Sequence, residues 1–330
     1  MEHELVSREN VTFATIRSGA INGVGAWRAT KGMLRVLFGI VDAFNIVGRF
    51  RPDVVFLTGG FVGVPVSVAA WMRRVPVLLY LPDIEPGMAL KLMARFATKI
   101  ATTTEASAQF IPSGKMVVTG YPVREAFYGV DRTSARAKFG IGLDERVVLV
   151  FGGSKGARSI NRAITEQLPA LLQRCVLIHV SGANDWEEVS AAREALPEDQ
   201  RKRYLAFKYL HEEMADAMVA ADLAVCRSGA SALGELPFVG LPAVLVPYPW
   251  AWRFQKVNAA YLDEHGAARV LEDGALTAAQ GGLVDTVTEL LDAPIVLEKM
   301  RDAARSLARR NGATEIAGLV MTSGQQRACR

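Results

Sequence analysis

Short apolar runs alternate with longer amphipathic segments along most of this chain. Each run spans four to seven residues between Gly, Pro or charged positions, which favours buried strands over helices. Alternation of strands and helices with short loops is typical of a doubly wound parallel sheet, so we predict an α/β fold. The predicted strands are residues 11–16, 54–57, 75–81, 99–103, 116–119, 147–151, 176–180, 204–207, 223–226 and 243–246.

The alternation occurs twice, which predicts two domains. We place an N-terminal domain at residues 1–124 and a C-terminal domain at residues 125–311, with a polar helical segment near 131–139 at the start of the second.

The uncharged run 54–72 has the length of a membrane-spanning helix. Gly59, Gly60, Gly63 and Pro65 interrupt it, so we interpret it as a strand, a loop and the start of a helix.

Composition narrows the class of protein. The chain has 330 residues, 50% of them hydrophobic, and its three cysteines lie too far apart for metal-ligand spacing, which favours a reduced cytoplasmic protein. Residues 1–124 hold 14 Lys and Arg against 8 Asp and Glu, whereas the remainder holds 24 against 26. A basic N-terminal half suits an anionic membrane surface or a phosphate-bearing substrate. Nucleic acid is not an expected partner, because no basic cluster is interleaved with aromatic residues.

The long helical segment 26–50 allows two interpretations. Its apolar residues fall on one face and basic residues flank them, as in a helix that faces a core and has a solvated basic side. The same pattern also fits a membrane-surface patch with a basic rim, which Trp71, Arg73 and Arg74 could extend.

Two loops carry candidate chemistry. GGSKGA at 152–157 joins a predicted strand to a predicted helix, where backbone N–H groups and the helix dipole favour a phosphate. The stretch 227–258 combines a small-residue turn with Glu235, Gln255 and Asn258, which suit an anion, a ribose and a polyol. We predict that this stretch is the donor half of a nucleotide-sugar site.

Three further polar residues need an interpretation. We expect His179, inside a predicted strand, to be a hydrogen-bonded core residue and not a catalyst. Asp83 and Glu85 follow the strand 75–81, at the end where open α/β sheets bind ligands. They could equally form a polar turn that caps the next helix.

Four segments together resemble the MurG family of bacterial peptidoglycan glycosyltransferases, glycosyltransferase family 28. They are GYPVR at 120–124, GGSKGA at 152–157, RSGA at 227–230 followed by Glu235, and RFQKVN at 253–258. The resemblance implies a GT-B fold, with two Rossmann-like domains facing a cleft and a last helix, about 312–330, that packs back on the first domain. It also implies an inverting enzyme that moves N-acetylglucosamine from UDP to the C4 hydroxyl of undecaprenyl-pyrophosphoryl-N-acetylmuramoyl-pentapeptide (lipid I), forming lipid II.

The resemblance assigns roles to residues of this sequence. Each role concerns the UDP-N-acetylglucosamine donor, and none requires a metal or a cofactor. Arg124 and Ser154 would hold the diphosphate, Leu210 with Tyr209 the uracil, Glu235 the ribose, a helix start at Ala230 and Ser231 the phosphate and sugar, and Gln255 and Asn258 the sugar hydroxyls.

This sequence departs from the family pattern in three places. Phe254 stands where the family has the first of two glutamines, and residues 80–85 read YLPDIE where it often has HEQN. The family's opening strand and GGTGGH loop, whose histidine is the proposed general base, has no counterpart before Val11, and His3 lies in the wrong segment. We therefore expect one strand–helix unit of about 35–45 residues to be missing, and assign no catalytic residue.

The resemblance also implies a peripheral enzyme on the cytoplasmic face of the membrane, bound to lipid I and the anionic inner leaflet. Two alternatives remain open at this point. One is a related GT-B glycosyltransferase with another lipid acceptor, because acceptor choice depends on the weaker N-terminal half. The other is a truncated, non-catalytic UDP-sugar-binding protein.

Overall fold

The computed structural model describes residues 11–17, 26–153, 156–250 and 253–328, with the backbone alone for 26–35, 326 and 328. Its described residues form two compact units. The first comprises those within Met1–Pro82, Pro86–Thr119 and Thr314–Arg330. The second comprises Asp83–Glu85 and those within Gly120–Ala313.

A parallel four-stranded sheet, in the order β1-β2-β3-β4, forms the first unit. The strands are β1 Val55–Leu57, β2 Val77–Leu81, β3 Lys99–Thr102 and β4 Met116–Val118. All five side chains of β2 are buried, as expected for an apolar run inside a sheet covered on both faces. Residues 11–17 form no strand, so the strand predicted at 11–16 is wrong. Most of these side chains are exposed, and the segment has no buried face to drive pairing.

Helices surround this sheet. They are α1 Ala26–Phe50, α2 Gly63–Met72 and α3 Met88–Phe96, with a 3₁₀ turn at Glu105–Phe110. Ala43 and Val47 of α1 and Ala69 of α2 belong to one buried apolar cluster with the strands. The guanidinium of Arg73 lies 3.8 Å from the ring centroid of Phe44, and its Nε donates to the Phe44 carbonyl at 2.7 Å. Arg73 therefore fixes α2 to α1.

The second unit contains six parallel strands in the order β10-β9-β8-β5-β6-β7. They are β5 Val147–Phe151, β6 Val176–Val180, β7 Tyr204–Phe207, β8 Leu223–Cys226, β9 Ala243–Leu245 and β10 Ala268–Val270. The chain runs outward from β5 in one direction and from β8 in the other, so the order reverses between these two strands. This is the doubly wound arrangement of dinucleotide-binding domains, which bind ligands at the reversal point. Sequence patterning missed β10, whose three residues include Arg269.

The connections of the second unit are mostly helical. The helices are α4 Arg132–Lys138, α5 Arg158–Glu166, α6 Leu168–Leu172, α7 Trp186–Glu194, α8 Glu198–Arg203, α9 Glu213–Ala220, α10 Glu235–Val239, α11 Phe254–Glu264, α12 Leu283–Leu291 and α13 Pro294–Ser306. At the start of α4, the Asp131 carboxylate accepts hydrogen bonds from the backbone N–H groups of Thr133 and Ser134. This N-cap satisfies donors that the helix itself cannot pair.

The last helix, α14, runs over Gly312–Ala328, close to the bounds of about 312–330 that the family resemblance implies. Gly324 lies against Asp53 and Val54, and Arg327 donates to the Pro52 carbonyl. The helix therefore joins the first unit from Thr314 onward, beside the segment that enters β1. None of the helices in the described ranges is long and apolar enough to cross a membrane.

Candidate functional site

A cavity of about 1240 Å³ opens in the second unit at the reversal point of its sheet. Loops that leave the carboxyl ends of β5, β8 and β9 supply most of its wall. The lining residues are Phe151, Gly152, Gly153, Gly156, Ala157, Arg158, Ser159, Arg162, Asn184, Asp185, Arg227, Gly229, Ser231, Tyr248, Pro249, Trp250, Gln255 and Asp273. The cavity thus lies where an open α/β sheet binds its ligand.

The glycine turn between β5 and α5 forms one wall. Gly153 and Gly156 have positive φ angles of 83° and 82°, and a Cβ on Gly156 would lie 2.1 Å from the Ser181 carbonyl oxygen. Only glycine fits this second position, since both the backbone conformation and the space exclude a side chain. The turn brings the start of α5 to the cavity, where its N–H groups and dipole favour an anion. Ser154, predicted to bind the diphosphate, lies outside the described residues.

A buried ion-pair network forms another wall. The Arg227 Nη1 lies 2.5 Å from Asp273 Oδ1, and Nη2 donates to Ser159 Oγ at 2.6 Å. Ser159 Oγ in turn donates to Asp273 Oδ1 at 2.7 Å. The network joins the ends of β8 and β10 to the start of α5. Because Asp273 balances the charge of Arg227, this network fixes loop positions more than it attracts an anion.

Arg158 and Arg162 are exposed cations in the described lining of the cavity, and sequence reasoning did not single them out. They stand four residues apart in the first turns of α5. Arg158 lies 3.9 Å from Asp185 and Arg162 lies 3.6 Å from Glu188, both distant pairs that leave the guanidinium groups largely in solvent. Their i, i+4 spacing directly after the glycine turn was the available signal.

Ser231 and Gln255, both predicted from the sequence, line the cavity. The Oε1 of Gln255 accepts a hydrogen bond from the Tyr248 backbone N–H at 2.8 Å, so its Nε2 is the donor left for a ligand. Ala230 and Ser231 do not begin an α-helix as predicted. They begin a 3₁₀ turn, Ala230–Leu233, and α10 starts only after Gly234, whose backbone interrupts the helix.

A second group of predicted residues meets outside the cavity lining. Arg124 Nη2 lies 3.5 Å from Glu235 Oε1, and Arg124 Nη1 donates to the His211 carbonyl at 3.2 Å. Burial raises the pKa of Glu235, and the charge of Arg124 opposes that shift. Arg124 therefore links the predicted ribose acceptor to the segment that follows β7.

That segment contains the two residues predicted to hold a uracil. The Tyr209 ring is exposed and packs edge-on against His211, with ring centroids 4.6 Å apart. Leu210 is buried, so its backbone is what it can offer to a base. The structure thus brings Tyr209 and Leu210 together with Arg124 and Glu235.

Asn258 is completely buried, and its amide bonds to protein groups. Its Nδ2 donates to Asp83 Oδ1 at 2.8 Å and to the Ser228 carbonyl at 3.1 Å. Its Oδ1 accepts from the Ile84 N–H at 3.2 Å. A direct contact between Asn258 and a sugar stays a prediction.

His179 is confirmed as a core residue. Its ring bonds to the Tyr204 hydroxyl at 2.7 Å and to Asn161 Oδ1 at 3.0 Å. Asn161 Nδ2 donates to Asp185 and to the Ser181 carbonyl, so its Oδ1 accepts from His179 Nε2–H. Through Asn161, this buried network holds Asp185, which lines the cavity, in place.

Two Rossmann-like parallel sheets, with a phosphate-suited cavity in the second, define a chain of the GT-B class of nucleotide-sugar enzymes. The family assignment is more specific. This chain belongs to glycosyltransferase family 28: residues 147–317 match the family's C-terminal domain and residues 1–102 its N-terminal domain.

Individual relatives agree with this assignment. A UDP-N-acetylglucosamine–N-acetylmuramyl-(pentapeptide) pyrophosphoryl-undecaprenol N-acetylglucosamine transferase of Roseiflexus sp. is 40% identical, over 98% of this chain and 81% of the relative. The enzyme of the same name from Symbiobacterium thermophilum is 34% identical, over 100% of this chain and 88% of the relative.

Solved structures share the fold. The crystal structure of Acinetobacter baumannii MurG aligns with a TM-score of 0.75 and 25% identity, covering 98% of this chain and 88% of that one. A UDP-GlcNAc 2-epimerase from Neisseria meningitidis, bound to UDP-GlcNAc, aligns with a TM-score of 0.65 and 14% identity, over 89% and 82% of the two chains. The second likeness concerns the fold alone.

Proposed function

We propose that this chain transfers N-acetylglucosamine from UDP-N-acetylglucosamine to the muramoyl sugar of undecaprenyl-pyrophosphoryl-N-acetylmuramoyl-pentapeptide, forming lipid II for peptidoglycan. The 40% identity to a transferase named for this reaction, over 98% of the chain, carries the proposal. The cavity at the reversal point of the second sheet supports it, because that is where such a fold holds a nucleotide.

The same proposal gives each donor-binding residue of the second unit a role. In this proposal the glycine turn and Ser154 hold the diphosphate, and the exposed Arg158 and Arg162 add positive charge. Ser231 and Gln255 face the sugar. Glu235 accepts hydrogen bonds from the ribose hydroxyls, and Arg124 reaches the diphosphate. The backbone of Tyr209 and Leu210 hydrogen-bonds to the uracil. Ala230, at the start of its 3₁₀ turn, faces the phosphate and sugar.

The reaction needs one bond to form as another breaks. The C4 hydroxyl oxygen of the acceptor attacks C1 of N-acetylglucosamine, and the bond from C1 to the UDP oxygen breaks on the opposite face, with inversion. The hydroxyl proton passes to a base, to which we assign no residue. UDP leaves with increased negative charge, which preorganised N–H groups and arginines at the glycine turn stabilise.

We also propose that the enzyme binds peripherally to the anionic, cytoplasmic face of the cell membrane. The first unit supports this, because α1 exposes Leu37, Phe38 and Val41 within two helical turns. On α2, Trp71 is also exposed. Exposed Arg74 supplies positive charge beside it. Apolar residues with basic neighbours are typical of interfacial membrane binding.

Transfer can be tested directly. The purified chain is incubated with UDP carrying radiolabelled N-acetylglucosamine and a lipid I analogue, and products are separated by chromatography. We expect label in a lipid-linked disaccharide, with release of one UDP per disaccharide. Acceptor-independent hydrolysis or epimerisation of the donor would contradict the proposal, as would transfer to diacylglycerol in preference to lipid I.

A further inference from the structure

The cavity of the second unit has more room than the diphosphate and the sugar of the donor require. Its volume is about 1240 Å³. Pockets for small molecules usually enclose about 300–1,000 Å³. Glu235, Tyr209 and Leu210, to which we assign the uridine, do not line this cavity. Part of it therefore remains for a second ligand.

Three polar side chains of the lining have unused hydrogen-bond donors. Arg158, Arg162 and Asn184 are all exposed in the cavity. The ion-pair distances of 3.9 Å for Arg158 and 3.6 Å for Arg162 are too long for hydrogen bonds. None of the three side chains donates a hydrogen bond to a described residue. This part of the cavity therefore suits a ligand rich in acceptor atoms.

Arg162 is the arginine better placed to bind an anion other than the diphosphate. It lies one turn beyond Arg158 on α5, about 6 Å farther from the glycine turn along the helix axis. The partner of Arg158 is the buried Asp185, whereas the partner of Arg162 is the half-exposed Glu188. A pair of exposed side chains contributes little to stability, so Arg162 can exchange Glu188 for a ligand carboxylate at little cost.

Another part of the lining is aromatic. Tyr248 and Trp250 follow β9, and both line the cavity. The Tyr248 ring already contacts a cation, because the guanidinium of Arg227 lies 5.2 Å from its centroid. Trp250 is 81% exposed, and no described ring or cation packs against its indole. An exposed indole in a cavity suits the aliphatic groups of a ligand.

The proposed reaction brings a ligand with these properties to the cavity. The acceptor's C4 hydroxyl must reach C1 of the hexosamine, beside the diphosphate. In a muramoyl sugar the peptide is attached through a lactyl ether on the carbon next to C4, so the peptide begins close to the reacting atoms. A pentapeptide has amides, aliphatic groups and a terminal carboxylate, and it extends about 17 Å. It is therefore long enough to cross the cavity.

We propose that the peptide of the acceptor binds in this cavity, where Arg162 binds a peptide carboxylate and Trp250 packs against aliphatic groups. The inference rests on the proposed function, because it assumes a muramoyl-peptide acceptor. The planar guanidinium group matches a carboxylate with two parallel hydrogen bonds. The Asn184 amide supplies both a donor and an acceptor for the peptide amides. The second unit thereby distinguishes a carboxylated peptide from a neutral one.

The test measures affinities by titration calorimetry at saturating UDP. Three short-chain analogues of lipid I are compared: one with the pentapeptide, one with every peptide carboxyl amidated, and one with a lactamide in place of the peptide. The unmodified chain should prefer the carboxylated peptide to the amidated one, and Arg162→Gln should reduce this preference about fivefold. Arg162→Lys keeps the charge and should retain part of it. Any effect of Arg162 on a diphosphate cancels in the ratio.

Arg146→Gln is the matched control. Arg146 directly precedes β5, at the opposite edge of the sheet from the cavity, and it pairs with Asp292, which Arg174 also contacts. This variant should keep the full preference for the carboxylated peptide. Trp250→Ala should have a different effect: it should weaken both peptides about threefold relative to the lactamide, because the indole contacts aliphatic groups and not the carboxylate.

Equal weakening of all three analogues by Arg162→Gln would overturn the inference, as would an unchanged preference for the carboxylated peptide. A loss of folded protein cannot imitate the expected result, because the ratio compares ligands on one variant. Selective binding of the carboxylated peptide without transfer of N-acetylglucosamine would refute the proposed function and support the peptide site. If the unmodified chain binds none of the analogues, both are wrong.

Discussion

Glu235, the proposed ribose acceptor, shows how a buried carboxylate can oppose folding. Its carboxylate is largely buried, and its ion pair with half-exposed Arg124 does not offset the burial, so its pKa stays raised. A raised pKa means that the folded state holds the proton more tightly than the unfolded chain does. Folding is therefore least favourable when Glu235 is ionised, above its raised pKa, and this penalty disappears as the pH falls below the ordinary value of 4.5.

Glu235→Gln should consequently weaken UDP binding and stabilise the fold. We expect a loss of about 1–3 kcal/mol in UDP affinity, since the ribose hydroxyls lose an ionised acceptor. The free energy of unfolding in urea should rise at pH 7.5, and this gain should vanish near pH 4. Glu198→Gln, at an exposed helix position, is the control and should change neither quantity. Unchanged UDP affinity in Glu235→Gln would remove Glu235 from the site.

His179 makes stability sensitive to acid. Burial lowers its pKa from the ordinary 6.5 to about 3. Between these values the unfolded chain takes up a proton that the folded chain does not, so stability is lost as the pH falls below 6.5. Between pH 7.5 and 5.5 this single group should remove about 1.4 kcal/mol from the free energy of unfolding.

Urea unfolding of His179→Gln at the two pH values tests this expectation. The variant should lose less stability than the unmodified chain over that interval, by about 1.4 kcal/mol. The comparison holds even if the substitution lowers stability at both pH values, because only the change with pH is compared. His265→Gln, at an exposed position, should retain the full loss. Identical pH dependence in all three proteins would contradict a neutral, buried His179.

At the scale of elements, the stability of the glycine turn after β5 depends more on Gly156 than on Gly153. Gly153 and Gly156 both have positive φ, but of the two only Gly156 has an atom of the described residues within 4 Å of where a Cβ would stand. Gly153→Ala should therefore lower stability by about 1–2 kcal/mol through backbone strain alone. Gly156→Ala should lower it considerably more, because the Ser181 carbonyl must move.

Urea unfolding of the two alanine variants measures this difference, with circular dichroism to check the fold. If Gly156→Ala does not fold, the unfolding free energy of Gly153→Ala can still be measured. Gly156→Ser should not fold either, even with UDP present, because its side chain also meets the Ser181 carbonyl. Equal destabilisation by the two alanine substitutions would show that the turn is not held against Ser181.

Sequence patterning predicted most elements because their causes are local. Nine of the ten strands in the described ranges follow from apolar runs bounded by breakers, with errors of one or two residues at the ends. It missed β10, which has an arginine in the middle of a three-residue strand. It also predicted a strand at 11–16, where the alternation is weak and no strand of the described residues pairs with the segment.

At the scale of the whole molecule, we expect the first unit to carry membrane binding. Leu37 and Val41 lie one turn apart on α1, and each is more than half exposed. Leu37→Ser with Val41→Ser should reduce binding to phosphatidylglycerol vesicles at least tenfold, because each apolar side chain contributes about 1.5–3 kcal/mol on burial. Co-sedimentation with vesicles measures this. Ile295→Ser, on α13 of the second unit, removes an exposed apolar side chain of similar size and should leave binding intact.

Positive charge on the first unit should contribute to vesicle binding independently of the apolar side chains. Arg74→Glu should weaken vesicle binding more at low salt than at high salt, because ionic strength screens exposed charges. Arg74 suits this test better than Arg73, which fixes α2 to Phe44 and whose loss would disturb packing. Equal effects of Ile295→Ser and the α1 double variant, or a salt-independent effect of Arg74→Glu, would contradict the membrane surface proposed here.

The sequence by itself determined the two alternations of strand and helix, the glycine turn, and the group of Glu235, Gln255 and Asn258, because each depends on residues close together in the chain. Tertiary structure decided which polar atoms remain available. Asn258 and Asp83 are 175 positions apart, yet a hydrogen bond between them uses one N–H of the Asn258 amide. Asp273 likewise reaches Arg227 only because β10 joins the sheet edge. Local patterns fix backbone conformation, but the pairing of buried polar groups depends on contacts that no local pattern records.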